Sequence, residues 1–309
     1  MKLNKTLVAA ALAAAVVAPA AQADVTLSGS FRGYVATPID SDNDDADLKI
    51  GSSKARINIK GSEAISDSTK VIAELEVDYD DNANASGNGD IEVRTAKVTV
   101  VGGFGAFVLA GRTASGQYND LVGPMYIFEY GGAAFFEQAL RTPTVAAYVT
   151  PTFAGGLSLV GAVVATGTDN GEDADALAFR ARYKTDMFNA AVGIVDYPSD
   201  EQRVGLGATA NVGPAALGLS YESTTDDPTF GDKDVAGLTV SSDFGNGFGG
   251  ALGFNTVLSS DAGDEDAQAV QALVTKSLSD NVYVWGEYDF YNDEAASDDA
   301  LAVGLNISF

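Results

Sequence analysis

The sequence predicts an all-β chain, a transmembrane antiparallel β-barrel of about sixteen strands, and three observations carry that prediction. Stretches of about ten residues alternate apolar and polar side chains from Val25 to the C-terminus. The breaks between these stretches are sorted, one set short and turn-like, the other mostly longer and acidic. An export signal opens the chain, and no later segment holds the ~20 continuous apolar residues that a helical span requires.

The export signal is read from Lys2 and Lys5, the apolar run Leu7 to Val17, and the small-residue cleavage pattern Ala21-Gln22-Ala23. Residues 1–23 are therefore expected to be removed, leaving residues 24–309 as the barrel. The 309-residue chain has no cysteine, so an exported protein of this size rests on packing and hydrogen bonds. It has no histidine, which excludes Ser-His-Asp and Cys-His catalysis and His-ligated zinc. Loss of the leader removes two lysines and no acid, taking the formal charge from −25 to −27. That charge excludes nucleic acid as a partner.

In chain order the expected strands are 25–36, 50–61, 70–79, 91–101, 104–112, 141–150, 157–166, 176–185, 187–197, 202–211, 215–222, 234–242, 248–258, 267–276, 282–291 and 300–309. Short breaks fall at 102–103, 151–155, 185–186, 212–214, 244–247 and 277–281. Acidic breaks fall at 40–47, 80–90, 168–175, 223–232, 259–266 and 292–299. A transmembrane barrel has this asymmetry of short inner turns and long outer loops, whereas a soluble sandwich has no reason for it. The interval 113–140 has no strand pattern.

The strand faces support an enclosed aqueous lumen. Ala55, Ile57 and Ile59 alternate with Lys54, Arg56, Asn58 and Lys60, and Leu177, Phe179 and Tyr183 alternate with Arg180, Arg182 and Lys184. One strand of this kind would suit a water-exposed sheet; so many in one chain suit a closed barrel, which also disposes of unpaired edges. On the last strand, Leu301, Val303, Leu305, Ile307 and Phe309 are expected to face lipid. Phe309, Phe153, Phe188, Tyr34, Tyr79, Tyr197, Tyr221 and Tyr291 lie near strand ends and are expected to form interfacial girdles.

Several stretches carry a family resemblance: VTLSGSFRGY at 25–34, KARINIKGSEAISDSTKVIAELE at 54–76, GGFGAFVLAGR at 102–112, FEYGG at 128–132 and the terminal Phe309. In this order and spacing the chain resembles the general diffusion porins of Gram-negative outer membranes. The resemblance implies a homotrimer associated through its N-terminal strands, with a long third loop that folds into the pore. It implies that Phe309 is the signal read by the outer-membrane assembly machinery. It implies passive passage of small polar solutes and ions, with no cofactor, beside lipid and lipopolysaccharide. It also implies a pore constriction in which wall arginines, here Arg56, Arg94 and Arg141, oppose acids of the loop. Arg32 lies two residues beyond a family lysine position that holds Ser30.

The residues agree with the loop reading, because a structureless stretch this rich in Phe, Tyr and Gly is too apolar to drift in water. Leu121, Met125, Ile127, Phe128, Phe135 and Phe136 are expected against the inner wall, with Asp120, Glu129 and Glu137 toward the channel. Around Arg94 the two lines of reasoning diverge. The resemblance places Arg94 in the lumen, while alternation places Lys97 there and Arg94 outside.

DSDNDD at 40–45 starts like a calcium loop, but Asp45 stands where glycine is needed and Gly51 where glutamate is needed, so an EF-hand is rejected. Looser divalent-cation binding by outer loops, with Asp42 and Asp44 as ligands bridging to lipopolysaccharide phosphate, stays open. So do a substrate-selective channel and a surface adhesin or receptor barrel. An enzyme is not expected. A sugar-specific lumen would need stacked aromatics, and only Trp285, Tyr283 and Tyr291 hint at them.

Overall fold

The structure, a computed structural model, describes residues 24–39, 48–80, 90–167, 174–229, 231–295 and 297–309. The expected leader and Asp42 and Asp44 lie outside the described residues.

Sixteen strands form one closed barrel. The first eight are β1 (Asp24–Pro38), β2 (Lys49–Ser66), β3 (Thr69–Asp80), β4 (Asp90–Gly102), β5 (Gly105–Ala114), β6 (Arg141–Val149), β7 (Leu157–Val164) and β8 (Ala176–Lys184). The rest are β9 (Phe188–Asp196), β10 (Gln202–Val212), β11 (Ala215–Asp227), β12 (Gly231–Gly245), β13 (Phe248–Ser260), β14 (Gln268–Ser279), β15 (Val282–Tyr291) and β16 (Ala300–Ser308). Each strand pairs with its neighbours in sequence, and β1 closes on β16, with register running from Ser30 opposite Ser308 to Pro38 opposite Ala300.

Every expected strand is present, because a wall with lipid outside and water inside imposes the alternation that was read. On β16 Leu301 and Val303 are 44% and 52% exposed on the outer face, while Ala302 and Asn306 are 1% and 8% exposed inside. One expected loop is corrected. Residues 223–232 are mostly strand, since pairing continues from Thr224 opposite Lys233 to Asp227 opposite Gly231. The acids suggested a loop, but Thr224 and Thr225 are β-branched and extend the ladder beyond them. A tight turn at 67–68, missing from the expected short set, joins β2 to β3.

The aromatic expectation holds in part. Tyr79, Phe153, Phe188, Tyr221 and Phe309 are exposed on the barrel surface. At one rim Phe107 stacks between Phe104 and Tyr148, whose hydroxyl donates to the Phe104 carbonyl at 2.6 Å. Tyr34, Tyr197 and Tyr291 are not girdle residues. Tyr34 is buried against Tyr130, Tyr197 lies beside Arg203, and Tyr291 meets Phe135 edge-on. Position near a strand end does not fix which face a ring takes; parity does, and these three fall on the inner side.

Phe309 finishes the barrel seam. Its N–H donates to the Gly29 carbonyl at 3.0 Å and its carbonyl accepts from the Gly29 N–H at 2.9 Å. Its ring covers Gly29, where a Cβ would overlap it. Deleting Phe309 removes two seam hydrogen bonds and an interfacial aromatic. Heat-modifiable barrel in outer-membrane fractions should fall at least about fivefold. Undiminished insertion would contradict this.

Candidate functional site

The segment between β5 and β6 lies against inward-facing residues of β9 to β15. Its short π-type turn, Tyr118–Val122, contacts β9, β10 and β11. Leu121, Met125 and Phe128 are buried, Phe128 in a cluster with Tyr34, Ala251, Leu273 and Trp285. Phe135 and Phe136 pack on Val235, Val257 and Ala267. The expected apolar anchors therefore hold the loop to the wall.

The wall receives the loop because it is notched. Gly205 and Gly207 on β10, Gly218 on β11, Gly237 on β12 and Gly253 on β13 present no side chain where the loop passes. A Cβ at Gly207 would overlap the Asp120 carbonyl oxygen, one at Gly237 the Met125 sulfur, and one at Gly253 the Phe128 ring. Alternating strings such as VGLGATA and GALGFN carried this signal, since inward glycine on adjoining strands marks close approach of another chain segment.

Polar wall residues then latch the loop. Glu287 on β15 accepts the backbone N–H groups of Glu129, Tyr130 and Gly131 at 2.6, 3.1 and 2.7 Å. Gln271 donates to the Gly132 carbonyl at 3.0 Å, and Thr239 to that of Pro124 at 2.9 Å. Farther along, Glu222 accepts the Glu137 N–H at 2.6 Å, Arg203 donates to the Glu137 carbonyl, and Lys233 lies 3.5 Å from the Glu137 carboxylate. Gln117 at the loop's start spans the carbonyls of Phe179 and Ile194 at 3.1 and 3.0 Å.

Among the groups outside the strands, Tyr118 and Asp264 have shifted acidities. Burial, with Tyr126 and Glu222 nearby, pushes the Tyr118 phenol up, so it stays a neutral packing group. At Asp264 burial opposes ionisation, but hydrogen bonds from Ser260 and Lys233 outweigh it and hold the carboxyl low. Its 2.9 Å pair with Lys233 therefore contributes at neutral pH and fades as pH falls through the acid range.

Glu287→Gln tests the latch. An amide keeps the volume but turns one acceptor into a donor facing backbone N–H groups, weakening the seat by about 3 kcal/mol. It also relieves repulsion with the neighbouring Asp289, so the barrel's heat stability should change little. Open-channel noise and brief closures should increase. A current trace as quiet as that of wild type would remove the latch role.

The opposite wall carries the charges. Arg32 forms an ion pair with Glu129 and also donates to its carbonyl at 3.1 Å, while Tyr283 donates to the Glu129 carboxylate at 2.6 Å. Arg56 and Arg94 share Asp78 at 2.8 and 3.0 Å, Arg94 reaches Glu76 at 3.2 Å, and Arg141 stands 3.7 Å from Glu76. Lys97 pairs with Glu74 at 2.9 Å. The arginines Arg56 and Arg141 thus pair with wall acids, and Arg32 is the one joined directly to Glu129. Asp120 makes a second bridge from loop to wall, at 2.5 Å to Arg180 and 3.7 Å to Arg182.

The divergence over Arg94 resolves through a β-bulge. Thr95 pairs with Glu76 and Val93 with Val77, leaving Arg94 as an extra residue on β4. The bulge re-aims its side chain inward without moving Lys97 off the lumen face, so alternation holds for Lys97 and is corrected for Arg94. Lys54 sits opposite Arg32 on β2 amid Arg56, Arg94 and Glu129. Lys60 is exposed opposite Glu74, and Lys184 is exposed beside Arg182. Sequence reasoning did not single out Glu74, Glu76 and Asp78 as partners of Lys97, Arg94 and Arg56, although ELEVD at 74–78 sets acids two apart beside a basic strand. Trp285 packs with Phe128 of the loop and Tyr283 donates to Glu129, so both rings are engaged by the loop. Among the described residues no cluster of carboxylates is arranged to hold a metal ion.

The sequence matches the family of Gram-negative porins over residues 8–296. No curated protein matches it. Among solved structures it is similar to OmpF of Salmonella typhi in complex with daunomycin, with TM-score 0.76 and 18% identity over 93% of this chain and 98% of that one. It is similar to the outer membrane channel DcaP of Acinetobacter baumannii, with TM-score 0.70 and 16% identity over 94% and 99%. It is also similar to the trimer form of Vibrio cholerae OmpT, with TM-score 0.69 and 14% identity over 93% and 99%. A closed sixteen-strand antiparallel barrel, outer faces apolar and inner faces charged, with a family match across nearly the whole chain, makes this protein a member of the Gram-negative porin family, an outer-membrane diffusion channel.

Proposed function

We propose that this porin passes small hydrophilic solutes and ions passively and catalyses no reaction. Its constriction lies between the loop, whose Glu129 pairs with Arg32 and whose Asp120 pairs with Arg180, and the wall arginines Arg56, Arg94 and Arg141. The observation that carries this reading is the Arg32 to Glu129 pair, which joins the loop's acid directly to an arginine of the wall. The wall holds more cations than β3 supplies acids, while the side beneath the loop is acidic through Glu222, Glu287 and Asp289. Opposed charges across a narrow aqueous section orient water and favour small polar solutes over apolar ones.

Planar bilayers under a salt gradient test it. Purified protein should give ohmic potassium chloride currents, and liposomes should admit small sugars by size alone. Saturating, solute-selective permeation would favour a substrate-selective channel instead.

The working form in this proposal is a homotrimer whose precursor loses residues 1–23. Supporting it, the outer face of β2 to β6 has a hollow of about 910 Å³ among Gly61, Ala73, Leu75, Ala96, Val98 and Leu109, suited to side chains of a second copy. Cross-linking in mild detergent should yield trimers, and N-terminal sequencing should begin at Asp24; monomers alone would count against the assembly.

A further inference from the structure

One stretch of the lumen is not built for water. Between the loop's two stems and the inner faces of β5 to β9 lies a niche of about 590 Å³. Its floor is apolar, with Val108, Val145, Val160, Ala162, Ala178 and Val195. Across the barrel Ser220, Thr239, Asn255 and Gln271 take inward positions beside Val235, Val257 and Leu273, so barrel closure alone does not demand a wholly aliphatic floor here. The niche runs from Thr166, Asp175 and Tyr197 at the outer end down to Val149 and Thr99.

Its edge is cationic. Lys97, Arg141, Arg180 and Arg182 line it. Lys97 is occupied by Glu74, but Arg180 and Arg182 share the single carboxylate of Asp120, and Arg141 has only Glu76 at 3.7 Å. The niche's own acid, Asp175, is engaged by the hydroxyl and N–H of Thr166. Among the described residues, two donors on the lining, Arg141 Nε and Gln138 Nε2, are buried without a hydrogen-bond partner. Gln138 is only 6% exposed, so its amide is held in place rather than left in bulk water. Buried donors beside an excess of guanidinium call for an anionic acceptor, and the aliphatic floor calls for an apolar body.

From this juxtaposition we infer that the niche is a subsite for small amphipathic organic anions, monocarboxylates with a ring or branched aliphatic body. The carboxylate takes Arg141 and Gln138, and the body lies on Val145, Val160 and Ala162. The inference rests on the channel reading above and adds a solute class to it. An anion held there intrudes on the aqueous path, so its occupancy is read as partial block of ion current.

The test uses phenylacetate, with acetate and benzyl alcohol as probes lacking the ring and the charge, added to the full channel conducting potassium chloride. Phenylacetate should reduce the current at concentrations where the other two do not. The double variant Val160→Thr and Ala162→Ser roughens the floor with hydroxyls and changes no charge. It should raise the half-blocking concentration of phenylacetate about fivefold while leaving the potassium chloride conductance unchanged. Arg141→Gln should raise it as well. In the wild-type channel, block by phenylacetate no stronger than by acetate overturns the subsite whether or not the variants fold. So does equal block of wild type and the double variant. Normal potassium chloride currents in those cases leave the channel reading intact, whereas absent currents overturn both.

Discussion

Gly207→Ala lowers single-channel conductance and sharpens the size limit, although it adds one methyl group to a chain of 309 residues. The new Cβ meets backbone atoms, the carbonyl oxygen of Asp120 and the carbonyl and Cα of Leu121, and backbone does not swing aside as a side-chain tip would. The wall behind is a hydrogen-bonded strand, so the loop is the part that moves, and it moves toward the pore axis. Displacing Asp120 also strains its bridge to Arg180. Overpacking of this kind costs about 1–3 kcal/mol, enough to lower the temperature at which the folded barrel loses its compact gel migration. Gly286→Ala is the matched control, since a Cβ there meets only a Val303 methyl at 3.9 Å. Equal conductance of the two variants would mean that the glycine groove does not seat the loop.

The second large effect is on selectivity. Replacing Arg56 and Arg94 together with glutamine removes two positive charges and leaves Asp78, with a side chain only 8% exposed, without its two guanidinium partners. Screening by bulk salt is weakest in such a confined section, so the cation-to-anion permeability ratio should rise about five- to tenfold. Asp78→Asn should move it the other way, because both guanidinium groups are then freed toward the lumen. Glu129→Gln should also favour anions by releasing Arg32. The sequence assigns Asp42 and Asp44 to an outer loop, and with a Debye length of about 10 Å at moderate salt their replacement is expected to matter little. Reversal potentials decide between the two locations. A larger shift from Asp42 or Asp44 than from the arginine pair would place selectivity in the acidic outer loops.

The outcome at Arg94 marks where legibility stopped. Alternation assigned Lys97 to the lumen from sequence alone, since parity is a local property with a period of two. It could not assign Arg94, because the extra residue that turns its side chain inward is visible only in the pairing of β4 with β3. Tyr34 shows the same limit from the other side. Its place near a strand end suggested a membrane interface, but its partner is Tyr130, which lies 96 positions on in the loop.

By itself the sequence determined the sixteen strands, the face most of them turn to lipid, and the apolar anchors of the loop. These follow from one physical contrast, lipid outside and water inside, which every strand meets separately and therefore writes into its own residues. Only the tertiary structure decided which cation meets which acid, which glycines form the groove, and that Glu287 grips the loop backbone. Those contacts join positions far apart, 158 residues in the case of Glu287 and Glu129, and barrel closure sets their distances. A buried carboxylate waiting for backbone N–H groups looks, in sequence, like any other inward polar residue of a strand.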